Sequence, residues 1–232
     1  MEKRLDRLAL LLGENKAASL ATKTVLVCGL GGVGGTCLES LARSGIGSFI
    51  LVDFDVVDET NLNRQVLFTA KDIGERKTNA AVSRLAAISP TIKVKTFSTK
   101  VTIELLDVLS KHKIDFIIDA IDAPDAKKNL IHFCLQHSLP FISSQGMANR
   151  VNPTLVQITS LDKTSTDPLA KKMRIILKQD GIDLSRVPVV YSSEKPLRNG
   201  VKLASVMNVP SSAGLAMAYY CLETLLNEST LE

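Results

Sequence analysis

Several residues in the first half of the sequence could do chemistry by their type and spacing. Gly29-Leu30-Gly31-Gly32-Val33-Gly34 follows an apolar run and opens a helical pattern. Glycines there permit a tight turn and close backbone approach, and the helix start presents free N–H groups to phosphate. Asp53 ends the next apolar run, 19 residues after Gly34, where a carboxylate can bond a ribose hydroxyl. Alone, this pattern reads as a nucleotide site, with NAD its commonest occupant. Arg64 and Lys77 change the reading. A dinucleotide sends its second half across the sheet and has no use for cations here, whereas a triphosphate needs them beyond what a helix dipole supplies. Asp122 follows a further apolar run, at the carboxyl end of a strand where ligands bind. A carboxylate beside phosphates is useful when it holds Mg2+ against their oxygens. Jointly these residues imply attack on an α-phosphate with pyrophosphate leaving, which demands positioning and charge stabilisation more than a protein nucleophile.

The elements that must position these residues can be read from periodicity. Apolar runs at 24–29, 48–53, 115–120 and 140–143 read as buried strands, and 93–97 alternates like one. Helical patterns occupy 33–44, 75–89, 101–112 and 126–137, and Pro90 stops the second. Buried strands separated by helices predict a doubly wound, Rossmann-like α/β fold with a mostly parallel sheet. Beyond Gly146 the rhythm breaks. Runs at 155–158 and 187–191 read as strands of a mixed continuation, 168–178 as a basic amphipathic helix and 211–226 as a mostly apolar terminal helix. The expectation is one domain over 1–232, with a nucleotide-binding core at 1–150 and an elaborated, mixed substrate-side extension at 151–232.

Composition narrows the classes further. The 232 residues are 45% hydrophobic, enough for a substantial core, while 4% aromatics and no Trp disfavour a stacking platform for single-stranded nucleic acid. A net charge of +4 tolerates a polyanionic partner without arguing for one. Cys28, Cys37, Cys134 and Cys221 form no CxxC pair and read as reduced core thiols. The amino terminus lacks the apolar segment of a signal peptide, and no long uncharged run suggests a membrane span, so a cytoplasmic protein is expected. His112, His132 and His137 fall in helical stretches away from the nucleotide motifs.

Taken together, the glycine loop, Asp53-Phe54-Asp55-Val56-Val57-Asp58-Glu59-Thr60-Asn61-Leu62-Asn63-Arg64-Gln65, the lysine of Gly74-Glu75-Arg76-Lys77 and Asp119-Ala120-Ile121-Asp122 resemble the ThiF/MoeB/E1-like superfamily. Its members adenylate a carboxylate with MgATP. The resemblance implies that Gly29, Gly31, Gly32 and Gly34 cradle the nucleotide and that Asp53 holds the ribose. Asn61, Arg64 and Lys77 would hold the phosphates, and Asp122 the metal and triphosphate. Asp55 and Gln65 lie in the same matching segment and join the nucleotide site. An arginine crossing a homodimer interface is also implied, for which Arg7 is the choice. Within the superfamily the chain is most similar to the tRNA threonylcarbamoyladenosine dehydratase branch. The segments that carry this are Arg7-Leu8-Ala9-Leu10-Leu11-Leu12-Gly13, Ala42-Arg43-Ser44-Gly45-Ile46-Gly47, Thr164-Ser165-Thr166-Asp167-Pro168-Leu169 and Val190-Tyr191-Ser192-Ser193-Glu194-Lys195-Pro196.

That branch implies ATP-dependent activation of the threonyl carboxylate of a modified tRNA adenosine, followed by cyclisation with loss of water. The wider resemblance leaves room for a monovalent cation and a cysteine desulfurase-type partner. Lys171, Lys172, Arg174 and Lys178, followed by Lys195, Arg198 and Lys202, are candidate tRNA contacts. Adenylation of a ubiquitin-like sulfur carrier is the near alternative, against which the missing CxxC pairs count. An NAD-dependent oxidoreductase is the distant one, against which Arg64, Lys77 and the lack of a hydride-transfer constellation count.

Overall fold

The computed structural model describes residues 2–197 and 203–228. Among the described residues seven strands form one sheet in the order β3-β2-β1-β4-β5-β7-β6. They are β1 (Thr24–Cys28), β2 (Ser48–Val52), β3 (Lys93–Phe97), β4 (Phe116–Asp119), β5 (Phe141–Ser144), β6 (Val156–Ser160) and β7 (Pro188–Ser192). All neighbours are parallel except β6 and β7, which run antiparallel at the edge. The expected doubly wound α/β sheet with a mixed continuation is therefore present. The chain winds outward from β1 to β3 and then returns to lay β4 against the other side of β1. That reversal opens a crevice at the carboxyl ends of β1 and β4.

Among the described residues eight α-helices cover the sheet: α1 (Asp6–Leu12), α2 (Glu14–Leu20), α3 (Gly32–Arg43), α4 (Lys77–Ile88), α5 (Ile103–Leu109), α6 (Pro124–Gln136), α7 (Pro168–Gln179) and α8 (Asn208–Glu228). Alternate residues of each inner strand point to opposite faces, so the apolar interior divides in two. Val25, Val27, Phe49 and Ile118 pack with Leu38 of α3, Leu85 of α4 and Met217 of α8. Leu26, Ile50 and Ile117 pack with Leu105 of α5, Leu130 of α6 and Met173 of α7. Helix α8 approaches α3 so closely that a Cβ on Gly214 would stand 2.4 Å from the Val33 carbonyl oxygen.

Some boundaries differ from the periodicity for local reasons. The helix expected from 75 starts at Lys77, because Gly74 and Glu75 instead bond the Val57 backbone in a clip beneath the loop after β2. The helix expected over 101–112 is confined to Ile103–Leu109, with Thr102 capping it through the Leu105 N–H. The strand expected from 155 begins at Val156, since Pro153 sets a short 3-10 turn ahead of it. The two short helices ahead of β1 carry Arg7 and were not legible as periodic elements.

Candidate active site

The glycine loop joins β1 to α3. Gly29 has φ +92°, and a Cβ there would stand 2.6 Å from the Ala120 carbonyl oxygen at the end of β4. A Cβ on Gly34 would stand 1.9 Å from the Gly29 oxygen. These two positions need glycine because the loop is squeezed between two strand ends. Gly31, the residue before α3, has no chain atom closer than 4.0 Å to a Cβ placed on it, that atom being Gln65 Nε2. Gly32 is bounded by the Arg64 carbonyl oxygen and the Pro210 side chain. The first amides of α3 have no intrahelical acceptor and no side-chain cap, so they face the crevice with the positive end of the helix dipole.

Asp53, just past β2, is buried. Its Oδ2 accepts the Leu30 N–H at 2.6 Å and its Oδ1 accepts the Asp55 N–H at 2.8 Å. The carboxylate is thus lashed to the glycine loop and keeps lone pairs for a further donor. Asp55 turns to Lys77, whose Nζ donates to its Oδ2 at 2.8 Å; Lys77 is buried and Asp55 half exposed. Backbone bonds between Lys77 and Asp55, and between Val57 and both Gly74 and Glu75, hold this cation against the loop. Asn61 belongs to a cap in which its Oδ1 accepts the Asp58 N–H. Arg64, partly buried, donates to the Thr60 carbonyl and to Asn63 Oδ1. Gln65 is buried, and its Oε1 has no hydrogen-bond partner.

Asp122 is exposed three residues beyond the end of β4, on the turn whose Ala120 abuts Gly29 and Gly34. Among the described residues no cluster of three or more metal-ligating side chains exists. An exposed single carboxylate still suits Mg2+, which keeps several waters and takes its remaining oxygens from phosphates. Arg7 is exposed on α1.

The basic candidates separate. Lys171, Lys172 and Lys178 are exposed on α7. Arg174 is partly buried, and its Nη1 donates to the Thr164 carbonyl at 2.9 Å and also to the Thr164 hydroxyl, tying α7 to the turn before it. Its remaining guanidinium N–H groups carry no such bond among the described residues, and the residue is partly exposed. Lys195 is exposed beyond β7, and Arg198 and Lys202 lie outside the described residues. All four cysteines are buried, and burial pushes the thiols of Cys28, Cys37 and Cys134 up.

Sequence reasoning missed a buried polar network beside the crevice. Lys127 Nζ donates to Asp119 Oδ2 at 2.8 Å, Ser143 Oγ at 3.1 Å and the Ser144 carbonyl at 2.8 Å. Ser143 Oγ donates to Asp119 Oδ2 at 2.7 Å and accepts from Gln145 Nε2 at 3.2 Å. Asp119 Oδ1 accepts the Ile121 N–H at 3.2 Å, so the pair also braces the turn that displays Asp122. One signal was available. Lys127 shares the inward stripe of α6 with Leu130, Ile131 and Cys134, and a lysine at a core position calls for a buried acid. Further along, Arg150 is buried and bonds Asp167 Oδ2 at 2.9 Å, the Glu194 carbonyl at 3.1 Å and the Gly146 carbonyl. It clasps the loops after β5 and β7 to the start of α7.

These contacts tie the glycine loop, a buried acid and a buried cation to one another beside the carboxyl ends of β1 and β2. The ThiF family matches residues 5–228. The chain belongs to the ThiF family. Among curated relatives it is 36% identical to the tRNA threonylcarbamoyladenosine dehydratase of Bacillus subtilis, over 96% of this chain and 94% of that one. It is also 36% identical to the Escherichia coli dehydratase, over 74% of this chain and 64% of that protein's length. The E. coli tRNA N6-threonylcarbamoyladenosine dehydratase, solved in complex with ATP, has a TM-score of 0.95 and 30% identity, covering 99% of this chain and 96% of that one. This ThiF-family chain therefore has the E1-like Rossmann-type fold along its whole described length. None of its described helices is long and apolar enough to cross a membrane.

Proposed function

We propose that the chain is an ATP-dependent tRNA threonylcarbamoyladenosine dehydratase. The observation that supports the reading is that Asp53 is tied to the glycine loop, and Lys77 to Asp55 beside it, in a chain matching an ATP-bound dehydratase over 99% of its length. ATP would lie with its phosphates on the α3 amides and its ribose on Asp53. Gln65, beside Gly31, offers a buried acceptor to the same nucleotide, and Asn61, Arg64 and Lys77 offer donors to the phosphates. Lys77 has three donors and gives one to Asp55, so it can hold a phosphate oxygen without leaving its partner. Asp122 would hold Mg2+ against the phosphates, which supplies further neutralisation of the charge.

In this arrangement a carboxylate oxygen of the threonyl group attacks the α-phosphorus and pyrophosphate leaves, giving an acyl-adenylate. A neighbouring group of the same modified nucleoside then attacks the activated carbonyl. AMP departs with the former carboxylate oxygen, a proton is lost and the ring closes, a net loss of water. The chain's part is to orient and to stabilise developing charge, and no cysteine is needed. Residues 151–232 are read as the substrate-side extension of a single domain. A homodimer with Arg7 reaching the partner's nucleotide, a cytoplasmic setting, a monovalent cation and a cysteine desulfurase-type partner belong to the same reading.

The test is ATP turnover with and without tRNA carrying threonylcarbamoyladenosine, followed by nucleoside mass analysis. AMP and pyrophosphate formation with loss of one water from the nucleoside is expected. ATP binding without that loss would redirect the site to another carboxylate, and NADH binding in its place would remove the reading.

A further inference from the structure

Among the described residues two buried side-chain atoms lack a hydrogen-bond partner, Gln65 Oε1 and Gln145 Oε1. Both lie at the carboxyl end of the sheet. Gln65 stands beside the glycine loop and belongs to the nucleotide site. Gln145 is the residue after β5, only 4% exposed, with its N–H still bonded to the Val190 carbonyl of β7 at 2.8 Å. No part of the nucleotide site uses it.

The orientation of its amide is dictated by the network beneath. Lys127 can only donate, so Ser143 Oγ must accept from it, and the Ser143 proton goes to Asp119 Oδ2. Ser143 therefore has no proton left for Gln145 and can only accept from it, which it does from Nε2. The amide cannot flip without losing that bond, and Oε1 is held facing away from a network that is complete without it. Alternation along β5 puts Gln145 on the same face as Ser143, the face that Lys127 and Asp119 occupy. Asp119 braces the turn bearing Asp122, so the fixed acceptor and the Asp122 turn are mounted on one rigid unit.

We propose that Gln145 determines specificity for the acyl substrate, its Oε1 accepting a hydrogen bond from a neutral donor adjoining the reacting carboxylate. The donor is a hydroxyl or an amide N–H, and a threonylcarbamoyl group carries both. This rests on the proposed dehydratase reading. Oε1 is buried, so the bond requires the groups covering it to move when the substrate binds. Lys127 and Ser143 are positioning residues that act through Gln145 and Asp119.

The test compares wild type with Gln145→Met, which keeps volume and removes the acceptor. AMP release is measured on tRNA carrying threonylcarbamoyladenosine and on tRNA carrying the glycyl counterpart, which lacks the hydroxyl. ATP affinity is measured in parallel. The expected result is a loss in kcat/KM with the threonyl substrate of at least about tenfold, the size of one hydrogen bond, with ATP affinity within about twofold. A loss confined to the threonyl substrate assigns the hydroxyl as donor, and an equal loss on both assigns the N–H. Ser143→Ala, which frees the amide to turn, should show a smaller loss of the same pattern. Unchanged tRNA kinetics in a folded Gln145→Met enzyme would overturn the proposal and leave the dehydratase reading standing. Equal loss of ATP affinity would assign a merely structural role and overturn it too. A wild-type enzyme silent on both tRNAs would remove the dehydratase reading and this proposal with it.

Discussion

At the scale of single residues, the burial of Lys77 separates it from an ordinary surface lysine. Its stem is enclosed, its ammonium reaches Asp55, and Asp55 is tied through its own N–H to the carboxylate that grips the glycine loop. In the proposed function this cation meets phosphate charge, and removing such a donor costs typically about a hundredfold or more in rate. Lys77→Met should therefore lower pyrophosphate release by about a hundredfold while the folded state persists, since Asp55 is 45% exposed and can return to water. Pyrophosphate assay beside thermal unfolding checks this, and a variant that turns over normally would strip Lys77 of its role. Arg64→Ala should behave alike, because its guanidinium spends bonds only on its own turn.

At the scale of elements, α3 and α4 are joined by Glu39, which accepts from Arg84 at 2.8 Å and from Arg43 at 2.8 Å. Burial alone would raise the Glu39 carboxyl, but the two guanidinium groups outweigh it and hold the group below its ordinary value. A carboxylate depressed in the folded state adds stability above its unfolded value, about 4.3, which is lost as pH falls below that. Glu39→Gln should flatten the acid limb of a stability–pH curve while costing little more than about 1 kcal/mol at neutral pH, given the exposed Arg43. Equal acid limbs would show that the clasp contributes nothing. Helix α7 carries a second expectation. Lys171 and Lys172 sit one turn from the Asp167 cap, near the carboxyl end of the sheet, whereas Lys178 is two turns further along. Lys171→Ala and Lys172→Ala should weaken tRNA binding and each reduce the salt slope by about 0.7–0.9, with Lys178→Ala changing less. Filter binding across a salt series reads this, and an unchanged slope would free α7 from the tRNA surface.

At the scale of the whole molecule, Arg7 is the residue that the single chain does not explain. It is exposed on α1, beside Leu10 at 88% and Leu11 at 79% exposed. Isolated exposed leucines are common, yet this pair next to an unused arginine suits burial against a second copy. If Arg7 completes the partner's site, mixing Arg7→Ala with Asp122→Ala protein should restore up to about a quarter of wild-type turnover, because a shared site pairs intact halves in some mixed dimers. Absence of rescue would place Arg7 outside the site.

The strands, the glycine loop, Asp53 and the helix over 168–178 were legible in the sequence because they rest on local rules: apolar runs, turn residues and helical period act over a few neighbours. The nucleotide motif was legible for the same reason, since loop, strand and acid come in one register along the chain. Which residues meet across the sheet was not. That Gly34 is required by the Gly29 carbonyl, that Lys127 finds Asp119 and Ser143, and that Arg174 bonds Thr164 follow from how β4, β5 and α7 are brought together. Period tells that a position faces inward. Only packing decides what waits there, and for a buried charge or amide that partner sets both its energy and its use.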